Sequence, residues 1–152
     1  MIRIASCAEL LEMFRPIDRD EVQVPADFRF PLALKNRLSW IEPSGHRVFL
    51  VFQDSAGIPR GIVFQRTRGS TEAAPAMCQW CNAIRGGASV SLLTASASQD
   101  RRVGIHLCSD LKCEPTEGAT PGINDLRESL GRSERELRLM KRIHDFMKAN
   151  LV

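Results

Sequence analysis

The sequence predicts an α+β fold: a small antiparallel sheet built around a four-cysteine finger, with flanking N- and C-terminal helices. Three observations carry that reading. β-rich runs come in pairs joined by polar turns, four of the five cysteines fall within Met77–Cys113, and apolar positions recur at three- and four-residue steps near each end.

The cysteines form two close pairs, Cys78-Gln79-Trp80-Cys81 and Cys108-Ser109-Asp110-Leu111-Lys112-Cys113. A C-x2-C and a C-x4-C separated by a hairpin-sized segment converge on one tetrahedral metal, each local turn supplying two thiolates at roughly 2.3 Å. Pure thiolate ligation favours zinc or iron–sulfur over hard cations. Four protein ligands close the shell and leave no position for a substrate water, so the expected cofactor is one structural zinc. A redox dithiol would use one C-x2-C and leave the second pair without a role. Two disulfides would suit a secreted chain, but Met1-Ile2-Arg3-Ile4-Ala5 lacks the apolar run of a secretory signal, and a fifth cysteine is left over. Cys7, inside a short helix, is expected to be a small buried residue and not a ligand.

Between the pairs, Ala88–Ala95 and Arg102–Leu107 read as strands, with Ser96–Asp100 as their turn. Ser109 or Asp110 is expected to cap a short helix that carries Cys113. Knuckle, hairpin, then ligands at a helix start is the treble-clef order.

The same residues carry a family resemblance. Ala76-Met77-Cys78-x-x-Cys81, then Val90-Ser91-Leu92, then Val103-Gly104-Ile105-His106-Leu107-Cys108-Ser109-Asp110-Leu111-Lys112-Cys113 is similar to the C-terminal treble-clef domain of elongation factor G-binding proteins. That family includes the fusidic-acid resistance proteins. Upstream, Trp40, Arg47-Val48-Phe49-Leu50-Val51 and Gly61-Ile62 resemble it more loosely. The chain departs from the family at Asn82-Ala83-Ile84-Arg85, where Thr and His are common, and at Glu114-Pro115-Thr116-Glu117, where an aromatic and an Arg are common. It also lacks the longer N-terminal helical region of the resistance proteins. The resemblance implies a binding protein that grips the C-terminal domains of the translocation GTPase and promotes its release from the ribosome.

The remaining elements fill in around the finger. Ser6-Cys7-Ala8-Glu9 is a capping box for a short helix with Leu10, Leu11, Met13 and Phe14, ended by Pro16. Asp18–Arg37 reads as irregular, with a short helix near Leu32–Leu38. His46–Gln53 and Gly61–Arg66 flank the turn Asp54-Ser55-Ala56-Gly57 as a hairpin expected to join the finger's own. Thr67–Ala74 is a loop. Glu114–Gly122 is a linker, and Asn124 or Asp125 opens a helical tail with Leu126, Leu130, Leu137, Met140, Ile143, Met147 and Leu151 on one face. Gly131, with a second capping box at Ser133–Glu136, is expected to split the tail, which should pack on its own sheet. The expected division is 1–70 for the N-terminal helix and hairpin, packed with the finger; 71–122 for the finger; and 123–152 for the tail.

With 152 residues and 43% hydrophobic content, the chain is enough for one modest domain or two coupled units. No apolar run approaches the ~20 residues of a membrane span, and reduced cysteines favour the cytoplasm. A net charge of +3 does not by itself imply nucleic acid. From Arg60 to Arg102, however, Arg60, Arg66, Arg68, Arg85, Arg101 and Arg102 are opposed only by Glu72 and Asp100. Arginine is the side chain suited to bidentate phosphate or carboxylate recognition. Phe64, Arg66, Arg85, Arg101 and Arg102 are therefore expected to form one partner-binding patch beside the zinc site. His46, His106 and His144 lie on separate elements, and no G-x-S-x-G, H-E-x-x-H or phosphate loop is present, so no enzyme is expected. His106 is expected to be exposed or to support a thiolate. The partner expected from the resemblance is elongation factor G; the alternative is structured RNA on the arginine face.

Overall fold

The computed structural model describes residues 2–66, 75–86, 89–113 and 132–151. Its centre is a five-stranded antiparallel sheet in the order β3 (Arg37–Ile41), β4 (Arg47–Gln53), β5 (Pro59–Arg66), β8 (Val90–Ser96), β9 (Arg102–Cys108). The two hairpins expected from the sequence thus share one sheet. They meet where Gln65 pairs with Thr94 and Arg66 with Leu93.

β4 is apolar on both faces because both are covered. Side chains alternate across a strand, so Phe49 and Val51 face one layer while Val48, Leu50 and Phe52 face the other. The first layer is N-terminal. β1 (Ile2–Ile4) pairs with β2 (Leu32–Leu34), and α1 (Cys7–Glu12) sits beside them with Ile4, Leu10, Phe14 and Leu34 buried. Ser6 caps α1 by accepting from the Glu9 N–H at 3.2 Å, and Glu9 accepts from the Ala5 N–H at 2.6 Å. A 3-10 turn (Arg19–Glu21) follows. On the other face lies α2 (Arg132–Asn150), which buries Leu139, Ile143 and Met147, followed by Leu151 just past its end. The hairpin β6 (Ala76–Met77) and β7 (Ile84–Arg85) lies on that side as well.

Several expectations are corrected. No helix forms near Leu32–Leu38: those residues are β2 and the start of β3, held by pairing with β1 and β4. α1 ends at Glu12, four residues before Pro16, and Phe14 instead bridges to Gly61. Cys7 is exposed, because so short a helix buries Leu10 alone. On α2 the buried row is Leu139, Ile143, Met147, Leu151, at strict four-residue steps. Leu137 is 72% exposed, since two residues at 3.6 per turn place it about 200° from Leu139. No helix carries Cys113 among the described residues; Leu111 there has a φ of 56° and interrupts right-handed helix. The loop Thr67–Ala74, the linker Glu114–Gly122, the helix from Asn124 with Leu126 and Leu130, and the break at Gly131 lie outside the described residues.

Candidate metal centre

Each cysteine pair sits at the end of a strand. β6 and β7 pair Met77 with Ile84, which folds Cys78–Ala83 into a tight knuckle closed by Cys78 N–H to Ala83 O (2.9 Å) and Asn82 N–H to Cys78 O (2.8 Å). Asn82 takes the left-handed φ of 65° that the knuckle requires, a conformation asparagine tolerates better than most residues. The second pair begins on the last residue of β9, and Leu111 N–H to Cys108 O (2.9 Å) turns the chain back toward Cys113.

The four Sγ atoms lie within 4.8 Å of one another. Cys78–Cys113 and Cys81–Cys108 are each 3.6 Å apart, far beyond a disulfide bond of about 2.05 Å. A tetrahedron of zinc–sulfur bonds near 2.3 Å has edges of about 3.8 Å, so the cluster fits zinc. Cys78, Cys108 and Cys113 are buried and Cys81 half-buried. Sulfur–sulfur hydrogen bonding, first with Cys108 and then with Cys113 and Cys81, pulls the Cys78 thiol far below its ordinary value. Contacts with Cys108, Cys78 and Cys81 push Cys113 far above it. Four thiolates this close repel one another unless a cation takes them, and a bound zinc deprotonates its thiols outright.

Two arginines that sequence reasoning did not assign to the site hold its turns. Arg142 of α2 donates to the carbonyls of Gln79 (3.3 Å) and Trp80 (3.1 Å) and to Asn82 Oδ1 (2.8 Å). Arg37 of β3 donates to the Cys113 carbonyl and to Glu136 of α2. Trp80, inside the knuckle, packs edge-on against Phe64 and Phe146, each at 5.8 Å. Helix, sheet and knuckle are therefore one packed unit. The nearest sequence signal was the spacing of Arg142 and Phe146 on one helix. Replacing Arg142 by Ala should cost about 2 kcal/mol, since hydrogen bonds to a charged group are worth ~1.5–3, and should speed zinc transfer to a colorimetric chelator. An unchanged transfer rate would remove Arg142 from the support of the site.

The expected partner patch does not assemble. Phe64 is fully buried between Trp80 and Phe146, so it offers nothing to a partner. Arg66 is half-buried, with its guanidinium on the Gly45 carbonyl at 3.3 Å. Arg85 is exposed on β7 beside the knuckle, whereas Arg101 and Arg102 are exposed at the β8–β9 turn. Six residue steps of β9 separate Arg102 from Cys108, about 20 Å at the rise of a strand. His106 is exposed, and its backbone, not its ring, contacts the knuckle.

A four-cysteine site whose turns are braced by a sheet and a helix defines a structural zinc-finger protein of the treble-clef class. The chain belongs to the FBP C-terminal treble-clef zinc-finger family, whose model matches residues 11–149, well beyond the cysteine-bearing half. No curated protein matches it significantly in sequence. Among solved structures, that of the fusidic acid resistance protein FusC is similar, with a TM-score of 0.53 at 18% identity. The similarity covers 74% of this chain and 52% of FusC, so the chain spans about half of that protein's length. No described helix is long and apolar enough to cross a membrane.

Proposed function

We propose that this is a non-enzymatic, cytoplasmic binding protein that recognises elongation factor G and modulates its release from the ribosome. Membership of the FBP C-terminal family is the observation that carries the reading. The closed shell of four thiolates supports a scaffold and not a catalyst, because no coordination position is left for a substrate. In this reading the zinc holds the knuckle and hairpin in one orientation, and exposed residues around them make the contact. Arg85, Arg101 and Arg102 are the proposed contacts from the sequence-derived set. The RNA reading needs a continuous arginine face, and the separation of Arg85 from Arg101 and Arg102 counts against it.

The test is capture of purified elongation factor G by the zinc-loaded chain, repeated after chelation and across a salt series. Binding is expected with zinc and lost without it. Arg101→Glu should weaken capture while zinc content and melting temperature hold, because this exposed side chain at the tip of the turn makes few core contacts. No capture by the zinc-loaded protein, with salt-steep binding to structured RNA instead, would overturn the proposal in favour of phosphate recognition.

A further inference from the structure

β9 is the last strand of the five-stranded sheet, and its outer edge is only partly used. His106 pairs outward with the knuckle: its N–H donates to Gln79 Oε1 (3.1 Å) and its carbonyl accepts from the Gln79 N–H (2.9 Å). That contact fixes the phase of the edge. Residues of an antiparallel strand alternate between pairing inward and outward, so Gly104 and Arg102 also turn N–H and C=O outward. Among the described residues these groups make no hydrogen bond.

Sheet edges are usually blunted by proline, lysine, a bulge or a covering element. The β8–β9 register runs without a bulge from Val90–Cys108 to Ser96–Arg102, and Gly104 and Arg102 are both exposed. The Arg102 guanidinium does not block the edge. It folds back over β8, donating to the Thr94 carbonyl (3.2 Å), the Thr94 hydroxyl (3.0 Å) and the Ser96 hydroxyl (3.0 Å). Beside the edge, toward α2, lies an open groove of about 530 Å³ lined by Met77, Gln79, Ile105 and Phe146, with Arg142 and Asp145 at its polar side. Met77 is 47% exposed on its rim. The charge is positive on balance: Arg101 and Arg102 stand at one end, and Asp145 is paired with Lys141 at 2.6 Å.

We propose that this edge binds an acidic, extended peptide segment by strand addition. The peptide main chain pairs with the outward groups of Gly104 and Arg102, continuing the pairing that Gln79 begins at His106. Alternate side chains enter the groove beside Ile105 and Met77, and acidic ones meet Arg101 at the turn end of the edge. In strand addition the main-chain bonds supply affinity and the alternate pockets supply selectivity. The site does not depend on elongation factor G as partner, and the probe below tests it separately.

The probe is a fluorescein-labelled decapeptide of alternating Glu and Val, added to the zinc-loaded full chain. Two further versions are N-methylated on alternate residues, one in each phase, and a third replaces Glu by Lys. We expect saturable binding of the parent, with at least a tenfold loss for one methylated phase and retention in the other. The Lys version should also lose at least tenfold, and the Gly104 and Arg102 amides should become protected from exchange when the parent binds. Gly104→Pro removes one outward N–H at a position where an edge strand accepts proline, and a tenfold loss at unchanged zinc content is expected. Because a Cβ there meets Leu92 Cδ1 at 3.1 Å, the methylated peptides carry the same test if that variant fails to fold. Absence of binding, equal affinity for both methylated phases, or protection of these amides in a concentration-dependent dimer would each overturn the proposal; the last would assign the edge to a second copy.

Discussion

Chelating zinc at neutral pH will unfold the knuckle and the Cys108–Cys113 turn and loosen α2 from the sheet. Structural zinc contributes on the order of 10–16 kcal/mol in small zinc-finger peptides at neutral pH. A whole domain is stable by only ~5–15 kcal/mol, so this fold has no reserve that offsets the loss. The placement of the site makes the effect spread. Cys78, Cys108 and Cys113 belong to the same buried cluster as Trp80, Leu111, Leu139 and Ile143. Arg142 reaches the knuckle only while the Gln79 and Trp80 carbonyls stay turned toward it. The N-terminal face has a separate apolar cluster around Phe14, Trp40 and Phe49, so its amides should remain the slowest to exchange. Elemental analysis should give about one zinc per chain, unchanged by Cys7→Ser and lost with Cys108→Ser. Hydrogen exchange at residues 78–85 and 105–113 that is the same with and without chelator would refute a stabilising role for the metal.

What the sequence revealed about this arrangement follows the range of the interactions involved. The cysteine pairs were legible because two ligands per turn is a local requirement, visible in five or six residues. β4, β5, β8 and β9 were legible because a two-sided apolar run or an alternating one, bounded by Asp54–Gly57 or by Ser96–Asp100, has one economical reading. β1 and β2 were not. Their register places Ile2 opposite Leu34, and three-residue strands carry no periodicity of their own. Leu32-Ala33-Leu34-Lys35 has the composition of a helix, but strand pairing overrides weak local preference. The error at Phe64 has the same origin. An aromatic next to Arg66 looked like half of a recognition patch, and only the arrival of Trp80 and Phe146 from distant elements buries it. On α2 the apolar residues admit more than one stripe. The sheet selected the one through Leu139, which set Arg142 over the knuckle and left Leu137 in solvent.

Gly61→Ala should be among the most damaging single substitutions outside the zinc ligands. β5 and the end of α1 meet at this glycine. Its N–H donates to the Met13 carbonyl at 2.8 Å, and Phe14 bridges to it. An added Cβ would lie 2.5 Å from Phe14 Cδ1 and 2.6 Å from Cγ, inside the contact distance of any carbon pair. The ring cannot swing aside, because it is 1% exposed and held edge-on by Trp40 at 6.2 Å and Phe49 at 6.4 Å. Overpacking a filled core costs typically ~1–3 kcal/mol, and the upper end applies where the obstacle is a rigid ring. Phe14→Ala alone should cost about 3–5 kcal/mol through lost burial and the cavity left behind. The double variant distinguishes this account from general sensitivity of β5. With the ring gone, the methyl added by Gly61→Ala enters vacated space, so the two losses should sum to at least about 1 kcal/mol more than the double variant shows, within the range of coupling between touching residues. Gly57→Ala is the control: nothing lies within 4 Å of its Cβ position, but its φ of +77° is left-handed, so about 1 kcal/mol of backbone strain is expected with no dependence on Phe14. Urea unfolding of the zinc-loaded variants measures all four. Strict additivity of Gly61→Ala and Phe14→Ala would mean that the ring does not set the requirement for glycine.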